Sequence, residues 1–414
     1  MSVILDLIKK EEERQQDTLM LIPSENYASK DVRDAVGSVL MNKYAEGYSG
    51  KRYYQSNEFI DEIETIACEK CKKLFGVEHV NVQPYSGSPA NSAVLFALLN
   101  QNDKIMGLKL SSGGHLTHGH PDITFSGKFF TSVQFGTKDD GVIDYSEVEK
   151  LAKKEKPKLM FIGTTAYPLI LDWKRFAEIA DSIGAWLVAD ISHVAGLVIA
   201  GVYPSPVPYA HIVTTTTHKT LRGPRGAMIM VTKKGLEKDV ELAKKIDRAV
   251  FPGLQGGPHN NTTAAIAIAL SEAEGIAFKK YGKQVVTNAK VLAEELVKGG
   301  LTIVTGKTEC HLIVVDLRPK NLTGKVVAEA LEMAGIIVNK NSVPNDTASP
   351  FNPSGIRLGT PAVTTSGMKE KEMKIIAKYI LQVVANLDDL ELLKSIAYEI
   401  KNLNSSILVT SATP

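Results

Sequence analysis

Short apolar runs alternate with amphipathic segments between residues 79 and 231. The runs predict buried strands, which we place at residues 79–83, 104–108, 158–163, 185–191, 210–216 and 227–231. The segments between and before the runs carry apolar residues at helical spacing, and the clearest predicted helices are residues 60–75, 92–99, 146–154 and 173–183. Alternation of this kind is typical of an α/β layer built on a mostly parallel sheet.

The pattern changes near residue 261, where longer helices begin. Predicted helices at 262–272, 280–298 and 324–334 enclose two strands, 301–304 and 311–316, and further helices close the chain between residues 369 and 403. We therefore predict an arm (1–20), a large domain (21–275) and a smaller α+β domain (276–414). The arm helix, residues 2–18, has little of its own to pack against, so we expect it to contact another surface. Residues 404–414 are predicted to fray.

Composition limits the classes of function. The chain has 414 residues, of which 44% are hydrophobic and 23% are charged, and its net charge of +2 argues against nucleic acid or a membrane surface as the main partner. No segment is long and apolar enough to span a bilayer, and the polar first residues do not form a signal peptide. Cys68 and Cys71 share a predicted helix and Cys310 is remote, which predicts reduced packing thiols, no metal site and a cytoplasmic protein.

Two polar residues end predicted strands in a way that indicates chemistry. Lys219 follows the run that ends in four threonines, and Asp190 ends another apolar run 29 residues earlier. Burial lowers the pKa of a lysine, and the free amine can form a Schiff base with an aldehyde. A carboxylate beside it could keep the ring nitrogen of pyridoxal phosphate protonated. A surface patch of Lys219, Arg222 and Arg225 is the alternative interpretation.

A turn of small residues indicates a phosphate site. Ser86, Gly87 and Ser88 lie between a predicted strand and a helix, where backbone N–H groups at a helix N-terminus bind anions. An ordinary serine cap is the alternative. Thr165, Asp190, Lys219 and this turn all follow predicted strands, and ligands of such sheets bind at the carboxyl ends of the strands. The positions therefore predict one shared site.

The segment from Thr214 to Gly226, with Asp190 and His193 before it, resembles the cofactor-lysine signature of the serine hydroxymethyltransferase family. The resemblance extends in family order over residues 21–27, 42–48, 50–54, 113–119, 252–259 and 338–344. It implies an aspartate-aminotransferase-like, fold-type-I α/β protein with a mostly parallel seven-stranded sheet. The reaction implied is the reversible transfer of the hydroxymethyl carbon of L-serine to tetrahydrofolate, giving glycine and 5,10-methylenetetrahydrofolate.

The resemblance also implies roles for individual residues. Lys219 would hold pyridoxal phosphate, Asp190 would pair with its ring nitrogen and His115 would stack on its ring. The further cofactor residues implied are Ser86, Gly87, Ser88, Thr165, His193, Thr216 and Gly257, and His218 joins the catalytic set. The serine carboxylate would be bound by Arg357, with Ser24, His193 and Tyr54 also implied as substrate contacts. Glu46 would be the acid and base, with Tyr44 and Tyr54 near it. The implied tetrahydrofolate contacts are Glu46, Leu110, Gly114, His115, Leu116, Asn341, Ser349, Pro350 and Phe351.

The family resemblance further implies a homodimer with shared active sites, since the stretches around Glu46 and Gly257 reach across a two-fold interface in that family. Dimer and tetramer stay open. Departures from the family pattern at Gln55, Ser56, Lys109, Ser112, Leu169 and Ala227 leave the substrate preference open. A folate-independent aldolase acting on β-hydroxy amino acids and a non-enzymatic binding role are the alternatives. Retention of Leu110, Gly114 and Asn341 argues against the first, and the near-neutral charge argues against RNA binding.

Overall fold

The structure is a computed structural model that describes residues 2–411. Its strands are β1 (Leu19–Met20), β2 (Gly47–Tyr48), β3 (Lys51–Arg52), β4 (His79–Asn81), β5 (Lys104–Leu108), β6 (Thr131–Phe135), β7 (Leu159–Gly163), β8 (Trp186–Asp190), β9 (Ile212–Thr216), β10 (Ala227–Val231), β11 (Thr302–Ile303), β12 (Leu312–Asp316), β13 (Ile336–Ile337), β14 (Asn339–Asn341) and β15 (Gly355–Gly359).

The helices cover most of the remaining chain. They are α1 (Val3–Asp17), α2 (Lys30–Val36), α3 (Glu58–Phe75), α4 (Gly87–Leu98), α5 (Phe125–Phe129), α6 (Tyr145–Glu155), α7 (Trp173–Ser182), α8 (Ala195–Ile199), α9 (Lys233–Lys238), α10 (Leu242–Arg248), α11 (Asn260–Ala273), α12 (Ile276–Lys298), α13 (Gly324–Met333), α14 (Pro361–Thr365), α15 (Glu370–Ala385) and α16 (Leu390–Ser411).

A seven-stranded sheet with the order β4-β10-β9-β8-β7-β5-β6 forms the centre of the first part of the chain. Strand β10 is antiparallel to both of its neighbours, and every other pair along β9-β8-β7-β5-β6 is parallel. The predicted α/β fold with a mostly parallel seven-stranded sheet is therefore confirmed. Strands β5 and β10 occupy the predicted residues, whereas the edge strand β6 was not predicted.

The helices around this sheet bury one apolar face each. Helix α3 buries Ile60, Ala67, Cys71 and Phe75, and it ends at Gly76, whose φ of +71° is the left-handed conformation that glycine adopts without strain. The side chain of Asp172 accepts a hydrogen bond from the backbone of Arg175 and so caps α7. Cys71 thus packs in the core, as the helical spacing predicted.

The second part of the chain builds its own sheet, with the order β11-β12-β15-β14 and antiparallel pairing throughout. Leu296, Leu331, Ile356 and Ile376 are fully buried in the core that this sheet shares with its helices. Strand β1 pairs in parallel with β13, which attaches the start of the chain to this part. The predicted boundary after residue 275 falls between α11 and α12, and it stays a prediction.

The two ends of the described chain lie against each other. None of the residues of α1 is buried, but the side chain amide of Asn404 donates to the carbonyl oxygens of Gln16 and Thr18. The prediction of fraying from residue 404 is wrong as far as residue 411, since α16 continues to Ser411, while residues 412–414 lie outside the described chain. Among residues 2–411, no helix combines the length and apolar character that crossing a bilayer demands.

Candidate active site

A cavity of about 240 Å³ opens where the parallel strands of the large sheet end. Asp190 is the last residue of β8, Lys219 follows β9, and Ser86 directly precedes α4. Ten of the residues singled out from the sequence line the cavity, namely Ser86, Gly87, Ser88, His115, Thr165, Asp190, His193, Thr216, His218 and Lys219. The predicted convergence of strand ends on one site is thus found in the fold.

Lys219 brings a primary amine to this cavity. Its Nζ donates a hydrogen bond to Oγ1 of Thr216 at 2.9 Å, and the amide of Asn26 donates to the Lys219 carbonyl oxygen at 2.9 Å. Burial lowers the pKa of Lys219 to about 8, although the charge of Asp190 opposes this shift. A larger share of the amine is therefore neutral at neutral pH than for an exposed lysine, as addition to an aldehyde requires.

Asp190 is a buried acid that stays ionised. Burial alone would raise its pKa, but hydrogen bonds from His118 and Ser192 and favourable electrostatic interactions with the rings of His118 and His115 hold the pKa well below the usual range. Nε2 of His118 and the amide of Asn91 each lie 2.9 Å from Oδ2, and the Ser192 hydroxyl lies 2.6 Å from Oδ1. The sequence did not show Asn91 as a partner, because no local pattern marks a contact across 99 residues.

The N-terminus of α4 provides a place for an anionic group. The side chain of Ser86 makes no capping hydrogen bond, so the first N–H groups of the helix have no side chain partner there. A Cβ atom added at Gly87 would lie 2.6 Å from Cγ2 of Thr216, which shows how closely the helix start approaches the end of β9, three residues before Lys219. Free N–H groups and the helix dipole both favour a phosphate at this position.

Two histidines that line the cavity, His115 and His218, are neutral at neutral pH. Burial lowers the pKa of His115 to about 4 and that of His218 to about 3. Nδ1 of His115 lies 2.7 Å from Oγ1 of Thr117, which fixes the orientation of the ring. A neutral planar imidazole held in this way suits stacking on an aromatic ligand.

Arg357 is a cationic side chain without an acidic ion-pair partner among residues 2–411. It lies on β15, where its Nε donates to Oδ1 of Asn339 at 3.0 Å and its Nη1 donates to the carbonyl oxygen of Thr165, a residue of the cavity wall. Burial lowers its pKa to about 10. Within residues 2–411 no carboxylate lies at ion-pair distance from Arg357. A partly buried guanidinium without a counter-charge fits a carboxylate ligand.

Several predicted site residues lie outside the cavity. Tyr44, Glu46 and Tyr54 form an exposed cluster, in which the Tyr44 hydroxyl lies 3.4 Å from Glu46 Oε1 and the two tyrosine rings are 5.0 Å apart. A Cβ atom at Gly257 would lie 3.2 Å from the Tyr44 ring, so Gly257 belongs to this cluster too. Ser24 lines a neighbouring cavity that it shares with His218 and Arg225.

Most of the predicted folate contacts occupy exposed or edge positions, whereas Gly114 is buried and His115 lines the cavity. Leu110 and Leu116 are about 40% exposed, and Phe351 is 84% exposed. Asn341 lies on β14, next to the strand that carries Arg357. Gly114 packs against backbone of Leu108, and Ser349 and Pro350 precede Phe351 in an exposed turn.

Comparison with known proteins agrees with this geometry. The sequence model of the family described as serine hydroxymethyltransferase matches residues 2–380. The chain belongs to the serine hydroxymethyltransferase family. It is 54% identical over 400 residues to the serine hydroxymethyltransferase of Desulfotalea psychrophila, covering 97% of this chain and 92% of that protein. Serine hydroxymethyltransferases of Acidothermus cellulolyticus and Sorangium cellulosum are 57% and 52% identical, over 92% and 97% of this chain and 87% and 93% of their own lengths.

Enzymes of the serine hydroxymethyltransferase family depend on pyridoxal phosphate and use tetrahydrofolate as cosubstrate. The residues of the cavity fit this cofactor. Lys219 supplies a partly neutral amine, Asp190 supplies an anion for a protonated ring nitrogen, and the start of α4 supplies backbone donors for a phosphate.

Proposed function

We propose that this protein transfers the hydroxymethyl group of L-serine to tetrahydrofolate and so produces glycine and 5,10-methylenetetrahydrofolate, in a reaction that also runs in reverse. The observation that carries the proposal is the juxtaposition, in one cavity, of a lysine whose pKa falls to about 8 and the ionised Asp190. Family membership over nearly the whole chain supports the same reaction. Free buried thiols at Cys71 and Cys310 suit a reducing compartment, and we propose the cytoplasm.

Each group around the cofactor site has a proposed task. When bound, pyridoxal phosphate supplies an electron sink for the electron pair left on the α-carbon of the amino acid. Lys219 holds the cofactor through Nζ, and Asp190 keeps a proton on the ring nitrogen because an ionised carboxylate stabilises the adjacent positive charge. Ser86, Gly87 and Ser88 bind the phosphate, and the neutral ring of His115 stacks on the pyridine. Thr165, His193, Thr216 and His218 line the remaining wall.

The proposed substrate clamp is built around Arg357. Its guanidinium is already aligned by Asn339 and by the carbonyl oxygen of Thr165, so little side-chain entropy is lost when it binds a carboxylate. We assign the carboxylate of serine to Arg357, with Ser24 and His193 beside it. Binding there orients the α-carbon with respect to the cofactor.

We propose that the exposed cluster around Glu46 acts in a second subunit. Tyr44 is 54% exposed, Tyr54 is 44% exposed, and neither lines this chain's cavity. In α1, Val3, Ile4, Leu5, Leu7 and Ile8 are each more than half exposed, which leaves an apolar surface for a partner. A two-fold dimer would bring Glu46, Tyr44, Tyr54 and Gly257 to the neighbour's cofactor, and Glu46 would then move protons at the serine hydroxyl and at folate.

Tetrahydrofolate would bind at the mouth of the cavity. We assign its contacts to Glu46, Leu110, Gly114, His115, Leu116, Asn341, Ser349, Pro350 and Phe351. The exposed apolar side chains of Leu110, Leu116 and Phe351 offer area for the pteridine and aryl groups. A folate-independent aldolase would cleave β-hydroxy amino acids without any dependence of rate on tetrahydrofolate, so a tetrahydrofolate titration of serine turnover separates the two activities.

The cofactor assignment is tested by replacing the lysine. Lys219→Ala should lose the visible absorption that borohydride abolishes and nearly all turnover, since no amine remains to hold the cofactor. Lys238→Ala is the matched control, because Lys238 also has a pKa lowered by burial but packs against Trp186 outside the cavity. A Lys219→Ala protein that stays active and borohydride-sensitive would refute the assignment.

The shared site is tested by complementation. Lys219→Ala and Glu46→Gln chains are each inactive by this proposal, but a heterodimer contains one site with both parental residues. Random assortment of equal amounts should restore about a quarter of the parental activity, since about half the dimers are mixed and each has one complete site. No recovered activity, with heterodimers confirmed by native mass spectrometry, would mean that Glu46 serves the lysine of its own chain.

A further inference from the structure

Two buried histidines from different parts of the chain meet behind the cavity wall. His193 follows β8 of the large sheet, and His311 directly precedes β12 of the second sheet. Nδ1 of His193 lies 3.1 Å from Nε2 of His311, and the residues are 4% and 0% exposed. His311 has no role in the function proposed above, although the single side chain it binds belongs to the cavity wall.

Both imidazoles are neutral. Burial, together with the charges of Arg357 and Lys219, lowers the pKa of His311 to about 3. Burial also lowers the pKa of His193 well below its usual value, and Lys219, His311, Arg357 and His115 act in the same direction. A neutral imidazole has one N–H group, so only one proton lies between the two rings. One ring must therefore be the donor and the other the acceptor.

The surroundings of His311 decide that direction. Nδ1 of His311 is buried and has no hydrogen-bond partner. If His193 donated from Nδ1, then His311 would carry its own proton on Nδ1, and a buried N–H would have no acceptor. If His311 donates from Nε2, its Nδ1 carries no hydrogen, and only a lone pair on that atom lacks a partner. Orphaned buried N–H groups are rarer than under-satisfied acceptors, so the second arrangement is favoured.

The consequence appears at the other nitrogen of His193. When Nδ1 accepts from His311, the proton of His193 must reside on Nε2. Within the described chain this Nε2 makes no hydrogen bond, and it is absent from the buried polar atoms that lack one, so it keeps contact with the cavity space that His193 lines. We propose that His311 is a positioning residue that fixes His193 as a donor, through Nε2–H, to a carboxylate oxygen of the bound amino acid.

The proposal rests on the proposed function only for the identity of that oxygen. The direction of the hydrogen bond is a property of the chain by itself and is measured without any ligand. Protein labelled with ¹⁵N-histidine, stripped of cofactor, should show His193 with a protonated Nε2 and a non-protonated Nδ1 by long-range ¹H–¹⁵N correlation. Protonated Nδ1 in His193 would overturn the proposal, whether or not the enzyme transfers one-carbon groups.

Variants at position 311 test the consequence in the cofactor-loaded enzyme. His311→Leu leaves the ring of His193 without its donor, so glycine should bind roughly five- to tenfold more weakly, the loss expected for one hydrogen bond. His311→Gln offers an amide N–H at the same place and should restore most of the affinity. His211→Leu is the matched control, since His211 is buried at 2% exposure but bonds to the backbone of Leu187 away from the cavity.

The outcomes separate positioning from mere packing. If His311 only packed, His311→Leu would bind glycine at least as tightly as His311→Gln, because leucine is apolar and fits a buried site. This result would overturn the proposal. Equal glycine affinity in the parent and in His311→Leu would overturn it as well. Loss of folding in His311→Leu would shift the decision to the ¹⁵N measurement on the parental protein, which needs no variant.

Discussion

Replacing Arg357 by lysine keeps a positive charge but changes both the geometry and the titration of the group. Arg357 is held by Asn339 and by the Thr165 carbonyl oxygen, and it has no acidic partner in residues 2–411. Lysine at this place would lose the planar pair of N–H donors that binds a carboxylate with two parallel hydrogen bonds. We therefore expect Arg357→Lys to bind serine and glycine more weakly than the parent at every pH.

The loss of affinity expected for Arg357→Lys has two parts. Loss of one hydrogen bond to a charged group costs about 1.5–3 kcal/mol, which corresponds to roughly 10- to 150-fold in the dissociation constant. Burial lowers the pKa of Arg357 to about 10, and the same burial would lower the pKa of a lysine at this position. Only the protonated amine attracts a carboxylate, so the affinity of the variant should fall further as the pH rises through the lowered pKa of that lysine.

Glycine titrations followed by the cofactor's visible absorption, at several pH values between 6.5 and 9, measure both parts. In the parental enzyme Arg357 stays protonated over this pH range because its pKa is higher, so deprotonation of Arg357 should not weaken glycine binding. Arg318→Lys is the control, because Arg318 pairs with Asp316 at an exposed position and should leave glycine binding unchanged. The carboxylate role would be refuted if the parental enzyme bound L-serine and L-serinamide equally well.

Two further substitutions test the cofactor site. Asp190→Asn removes the charge that raises the pKa of Lys219, so the pH midpoint for addition of pyridoxal phosphate to the apoenzyme should move below that of the parent. Exchange of the glycine α-proton in D₂O should also slow. An unchanged midpoint and exchange rate would contradict the assignment. Gly87→Ala places a Cβ 2.6 Å from Thr216 Cγ2 and should weaken pyridoxal phosphate binding about tenfold, whereas Gly37→Ala, with nearest contacts at 3.7 Å, should not.

The sequence predicted elements well where burial is uniform. Strands β5 and β10 lie at the predicted residues, because each is an apolar run buried on both faces and limited by polar or glycine-rich turns. Strand β6 was missed, since it is an edge strand in which Val133 and Phe135 are buried while Thr131 is exposed. Its short alternating pattern resembles a loop when no neighbouring strand is known.

The site was predictable to the extent that chain-local signals define it. Lys219, Asp190 and the Ser86 turn each follow an apolar run, and strand ends of a parallel sheet meet at one edge. His311, Asn91 and Asn26 gave no such signal, because their partners lie 118, 99 and 193 residues away in sequence. Only the folded chain shows that these three polar side chains bind His193, Asp190 and the Lys219 carbonyl oxygen.

One physical cause accounts for most of the electrostatics of the cavity. Burial is the largest contribution to the lowered pKa values of Lys219, His115, His193 and Arg357, and it favours the less charged form of each group. Asp190 is the only acid among the described residues that line the cavity, and hydrogen bonds keep it ionised against the same burial. A ligand that brings a phosphate, a carboxylate and a protonatable ring nitrogen supplies the charges that this set of residues lacks. The amine of Lys219 stays partly neutral because burial and the nearby cations Arg225 and Arg357 lower its pKa, against the opposing charge of Asp190.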